Sequence, residues 1–376
     1  MRKVLVKLCV VVAACACVWA PRAHAIEEQD NPRPVGQLRL FPRPPFARPA
    51  DKEITSRITR QIDPLLALFK ENARPGALGD SLIEIDARQQ LFRLESLLRL
   101  YARQFPDLDK YRLVIKEVED GLGSYTFAVD AHKFARDRFR DENRAAAPSA
   151  MRKDGQDKIL ASLDKKKEAA RVAFEKIVDR STLIDALPEL QSVVPETFVG
   201  WSSSADRAYV NSELERMLKI VRDRRLNFNL LEDGIHEFRR NLRWFPIVVD
   251  SLDGLIVLGE DAPGACPVPA LEALKGSRAA RHRYANPALR NPATRPCTIS
   301  RCLMWGVVKA VDDIGRLKDE VQGAAAIETA DNFEFDVSAS NKVTAEESAR
   351  AKASRTELFS SKALDHLIDQ LDSCKR

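Results

Sequence analysis

Glycine is scarce in this chain, with 15 residues in 376, and methionine and tryptophan number four each. Glycines so few and scattered provide no phosphate-cradling loop of the P-loop type and no G-x-S-x-G nucleophile elbow. The seven cysteines include no C-x-x-C pair, which removes the usual zinc and thioredoxin-like motifs. The histidines beyond the N-terminal segment, His132, His236, His282 and His366, are dispersed and form no H-E-x-x-H. These gaps leave no positive case for catalysis, and the sequence reads as a non-enzyme with no cofactor and no metal site.

What is present begins with a secretory layout. Residues 1–25 carry a charged start (Arg2, Lys3, Lys7), an apolar stretch over 8–20 and the small-x-small site Ala23-His24-Ala25. Thirteen apolar residues are too few for a spanning helix. A lipoprotein signal ending at Cys15 is the less favoured alternative, because it leaves a very short apolar region. The expectation is an exported, periplasmic or secreted protein without a membrane span in the mature chain. Loss of residues 1–25 removes four cations (Arg2, Lys3, Lys7, Arg22) and no anion, so the formal charge falls from +5 to +1. Affinity for polyanions must then come from local clustering of charge.

Residues 26–51 form a proline-rich leader. Beyond it nearly every segment has helical periodicity, with brief strand-like alternation at Phe333, Phe335 and Val337. Helices are expected at 54–71, at 81–104 behind a capping box from Ser81 to Glu84, and at 108–140 with a break at Gly121-Leu122-Gly123. Further helices are expected at 155–179, through Val210, Leu214, Met217, Leu218 and Val221, at 230–252, at 303–321, and from the Thr344–Glu347 capping box to 371. The fold class is all-α, and the architecture is that of a helical bundle.

The 230–252 segment is the most informative. Ile235, Phe238, Leu242 and Phe245 share one face, while His236, Arg239, Arg240 and Arg243 share another at i, i+3, i+4, i+7 spacing. Arginine forks match phosphate or carboxylate oxygens, so this stripe is an anion-binding candidate, with a solvated basic face as the plainer reading. Pro246 is expected to kink or restart the helix. Placing Ile85 on Ile235 aligns two helices and brings Arg93 onto Arg243. Lys116–Ala131 and Lys309–Gln322 share a second frame, in which Leu122-Gly123 meets Ile314-Gly315. Two ordered similarities indicate an internal duplication.

These residues resemble the CHAD family, the conserved-histidine α-helical domains. His236-x-x-Arg239 with Arg243 matches its histidine helix, and Ile314-Gly315-Arg316-Leu317-Lys318-Asp319 matches its later Leu-Gly-x-x-Arg/Asn-Asp element. The resemblance implies two pseudo-twofold-related bundles, 52–200 and 201–376. It also implies binding of inorganic polyphosphate or another phosphate-rich polyanion on a basic surface between them. The departures are specific. Asp86 and Gln89 replace the histidine and an arginine in the first half, and Thr126 and Phe127 replace the polar pair of its later element. In the second half Arg240-Asn241-Leu242-Arg243-Trp244 competes as an alternative register. The runner-up function is a structural or protein-interaction module of the cell envelope with a degenerate anion site and an envelope protein as partner. An enzyme acting on phosphorylated substrates ranks third. His236, if protonated, is expected to strengthen anion binding in the histidine pH range.

An insertion at about 259–301, with no counterpart in the first half, is proline-rich. It reads as a surface loop stapled by a disulfide, with a binding lid carrying Arg278, Arg281, His282 and Arg283 as the alternative. Cys266, Cys297, Cys302 and Cys374 are expected to form two disulfides, one closing the insertion and one tying down the C-terminus, with three pairings open.

Overall fold

The computed structural model describes residues 51–71, 78–145, 150–259, 266–287, 293, 295–330 and 343–375. The expected signal, nearly all of the leader and the alternation at 333–337 lie outside these. The described residues form thirteen α-helices and one pair of short strands, so the fold is all-α.

The first helix shows why periodicity suffices. In α1 (Lys52–Glu71), Ile54, Ile58, Ile62, Leu65 and Phe69 recur along one face and are buried. It packs on α3 (Ala87–Ala102) and α6 (Leu183–Thr197). The short α2 (Leu78–Glu84) ends where the sequence indicated a start: Ser81 lies inside it, and α3 begins only after Asp86 at positive φ. Next come α4 (Asp109–Ala145) and α5 (Ala150–Arg180), which pack on one another. The expected break at Gly121–Gly123 is absent. The glycines instead let neighbours approach: a Cβ at Gly121 would lie 2.9 Å from Ile177 Cδ1.

In the second half, α7 (Ser203–Asp223) buries Val210, Leu214, Met217, Leu218 and Val221. A π-helical turn (Leu231–His236) leads into α8 (Glu237–Ser251), which runs on through Pro246 as one helix. Its apolar face, Phe238, Leu242 and Phe245, is buried with Ile235 as expected. Then follow β1 (Ile256–Gly259), α9 (Pro269–Glu272), α10 (Arg278–Arg281), β2 (Cys297–Ser300), α11 (Arg301–Glu328), α12 (Ala345–Ser360) and α13 (Ala363–Ser373). The strands were not anticipated. They pair in parallel, Ile256 with Cys297 through Gly259 with Ser300, and close the base of the insertion. The Thr344–Glu347 capping box is present. The helix it opens stops at Ser360, and a second one starts behind Lys362 at positive φ.

Cys266 bonds to Cys302 and Cys297 to Cys374. The first bond spans the insertion and the second holds the C-terminal helix. No helix among the described residues is long and apolar enough to cross a membrane.

Buried side chains from both sides of residue 200 join one core that runs from Ile54 to Leu371. Across the same line, Arg57 (4% exposed) meets Asp206 (0%) at 2.5 Å, and the Tyr101 hydroxyl donates to Asp206 at 2.9 Å. Burial alone would disfavour the Arg57 charge, but Asp206 and Tyr101 more than offset it and hold the guanidinium firmly protonated. The two helices of the aligned frame, α3 and α8, pack directly on one another. Phe92 meets Trp244 edge to face at 5.8 Å, and Ser96 Oγ lies 2.8 Å from Ser251 Oγ.

Candidate anion site

The π-turn before α8 depends on one residue. Ile235 N donates to Leu230 O at 3.1 Å, an i−5 bond, and Gly234 is packed so tightly on Asn227 that a Cβ would run into its carbonyl. The turn places His236 against Glu232, with Nδ1 to Oε2 at 2.6 Å, and Gln322 Nε2 donates to the other Glu232 oxygen at 3.1 Å. Burial pushes the His236 pKa below its ordinary value; the Glu232 contact opposes this without reversing it. Burial thus favours the neutral imidazole, which donates to Glu232 when its proton is on Nδ1.

The expected stripe divides. Arg240, 48% exposed, pairs with Glu237 and lies at the rim. Arg239 and Arg243 turn toward α11 and the insertion instead. The cause is the stripe's width: at 100° per residue its edges face different neighbours. Arg239 Nε donates to Val311 O at 3.4 Å, and its guanidinium lies over Gly315, where a Cβ would come within 2.8 Å of Nε. Arg243 stacks over Phe92 at 4.4 Å, and its Nε is shut off from solvent without a hydrogen-bond partner.

Two cations outside the predicted set complete the cluster. Arg88 on α3 lies over Gly123, with a Cβ there 2.5 Å from Nη2, and bonds Glu119 through Nε at 2.5 Å. Lys318, one turn beyond Gly315, is 16% exposed and 3.7 Å from Asp319. Burial lowers the pKa of Arg239 and Lys318; Asp319 opposes the fall in both, and the neighbouring cations add to it. Burial, then Arg239 and Arg88, lower Arg243 to about 10, which leaves it charged at neutral pH. Among the described residues no carboxylate lies within ion-pair distance of Arg239 or Arg243. The contrast with Arg57 is direct, because there the fold supplies Asp206 to a buried guanidinium.

Arg93, aligned with Arg243 and expected among the anion-binding residues, pairs with Asp250 at 2.7 Å and does not join the cluster. The two positions differ because α8 presents Asp250 to Arg93, whereas α3 presents the ring of Phe92 to Arg243. Asp86 and Gln89 both accept from Arg283 of the insertion, the latter at 2.6 Å. Arg278 pairs with Asp312 at 3.0 Å. The signal for Arg88 lay one residue away from the alignment used: Arg88 follows Ile85 by three, as Arg239 follows His236. With that register the pairs Arg88–Gly123 and Arg239–Gly315 correspond.

Among the described residues no group of three or more metal-ligating side chains converges. The site gathers fixed positive charge and hydrogen-bond donors, which suits an anion with several oxygens. Comparison of the chain with protein-family models, curated proteins and solved structures gives no match.

Proposed function

We propose that this is an exported, non-catalytic helical protein that binds phosphate-rich polyanions of the polyphosphate type at Arg88, Arg239, Arg243 and Lys318. The observation that carries the reading is Arg243: a recessed guanidinium beside two further arginines, with a desolvated Nε and no carboxylate within ion-pair distance, Glu119 acting on it only from farther away. An uncompensated buried cation is costly for folding, and an arriving anion removes that cost. The two disulfides are compatible with export. The recurrence of an arginine laid over a helix glycine in each half supports a duplicated, CHAD-like arrangement.

Binding of long-chain polyphosphate and of pyrophosphate, followed by calorimetry at low and high salt, tests this. The double variant Arg239→Gln/Arg243→Gln is expected to lose two charge-assisted contacts of about 1.5–3 kcal/mol each. Reversal of the exposed Lys165 on α5 is the control. Wild-type affinity retained in the folded double variant, or no binding by wild type at low salt, overturns the proposal.

A further inference from the structure

The cations of the site lie beneath part of the insertion. A 3-10 turn, Arg283–Ala285, packs against both α8 and α11, the two helices that carry Arg239, Arg243 and Lys318. Tyr284 is 6% exposed there and close enough to Arg239 and Arg243 for its phenol to interact electrostatically with both. His282 Nδ1 accepts from Tyr284 N at 3.2 Å, the two rings lie 4.9 Å apart, and His282 also feels Arg239. An aromatic pair thus lies close to two arginines, neither of which has a carboxylate within ion-pair distance.

This cover is fastened unequally. Its base is covalent, through Cys266–Cys302 and Cys297–Cys374, and is further pinned by the β1–β2 pairing. Its outer edge is held to the first half by the Arg283 contacts with Asp86 and Gln89, and to α11 by the Arg278–Asp312 pair and the buried Ala279 and Ala285. Arg283 and Asp86 are 43% and 56% exposed, and ion pairs so open to water are weak. The base is permanent, whereas the contacts to the first half are exposed and readily exchanged.

We propose that residues 277–286 are the gate of the anion site, with Tyr284 as its plug and Arg283 as its latch. The gate rests on the binding function proposed above but has a readout independent of it. With the latch closed Arg239 and Arg243 are half-buried, and an anion gains full access to them when the Arg283 contacts open. Releasing the latch changes how fast the site exchanges and leaves its affinity nearly unaltered, because the Arg283 guanidinium is engaged by Asp86 and Gln89 and lies over the Tyr284 ring at 5.3 Å.

The test uses the full chain and two variants that break the latch from opposite sides, Arg283→Ala and Asp86→Ala/Gln89→Ala, each checked for wild-type circular dichroism. Phenylglyoxal modification, followed by peptide mass mapping, reports the accessibility of Arg239 and Arg243. Both variants are expected to be modified at these positions about fivefold faster than wild type, the factor associated with a weak exposed pair. Stopped-flow binding of inorganic pyrophosphate is expected to show association and dissociation accelerated together, with Kd within about twofold of wild type. Unchanged modification rates in both folded variants overturn the gate. So does a loss of affinity through faster dissociation alone, which makes Arg283 a ligand. If wild type binds no pyrophosphate, the binding function fails and the modification rates alone decide the gate.

Discussion

Arg239 lies across Gly315: the guanidinium of one helix occupies the place where a side chain on the next would begin, 2.8 Å from an added Cβ. The obstructed group is the free end of a flexible side chain, so Gly315→Ala displaces Arg239 without disturbing backbone. Alanine is also favoured over glycine inside a helix by about 1 kcal/mol. The expected outcome is unchanged or raised Tm together with weaker polyanion binding, read by thermal melts and calorimetry on the same sample. A variant with both properties intact counts against Arg239 as a binding residue.

Arg243→Met separates stability from binding in the opposite sense to most core substitutions. Methionine keeps the stem over Phe92 and removes a cation that has no carboxylate within ion-pair distance. Replacing such a buried charge with an apolar group of similar size is commonly neutral or stabilising by about 1–4 kcal/mol. Urea denaturation is expected to show equal or greater stability, with polyphosphate affinity reduced at least about tenfold. Marked destabilisation would assign Arg243 a structural role instead.

Glu119 sets the pH dependence. Burial raises its pKa to about 7, against the pull of Arg88 and with Glu95 and Asp120 adding to the rise. Its folded pKa thus exceeds the unfolded one. The associated stability is fully present below about pH 4.5 and is lost as the pH rises through about 7. Glu119→Gln is expected to be nearly neutral at pH 5 and stabilising at pH 8, by up to about 3 kcal/mol. Polyanion affinity of wild type is expected to increase as pH falls through 7, because protonation releases Arg88 from its carboxylate. Denaturant midpoints and binding constants that do not change across this window would refute the assignment.

Gly234→Ala is expected to be severely destabilising, by several kcal/mol, because the added methyl meets a backbone carbonyl at Asn227 and neither chain can yield locally. Circular dichroism melts against wild type check this, with Gly155→Ala, where nothing lies within 4 Å of the new methyl, as the permissive control.

The elements legible in the sequence were those that a single helix specifies by itself. The faces Ile235–Phe245 and Val210–Val221, the capping box at Thr344 and the even set of four cysteines all reappear in the structure. Misread were features whose meaning depends on a neighbour. Gly121 and Gly123 look like a break along the chain, but one admits Ile177 and the other Arg88. Ser81 is an ordinary capping residue until Asp86 takes a left-handed backbone and moves the helix start. Arg88 was masked by a one-residue shift in register and Lys318 stood in a motif without an assigned role, since only the meeting of α3, α4, α8 and α11 makes them one cluster with Arg239 and Arg243. The disulfide pairing was likewise set by tertiary placement, beyond the reach of a cysteine count.

The two disulfides interleave along the chain, Cys266 to Cys302 and Cys297 to Cys374, and each therefore straddles one end of the other. A protease that cuts after the exposed Arg281 leaves its two products joined by the first bond. A cut between residues 302 and 374 leaves them joined by the second. Even both cuts together release no piece, because the middle fragment keeps one cysteine of each bond. From residue 266 to the C-terminal helix the molecule can be nicked and still travel as a single covalent body, and its damage is visible only after reduction.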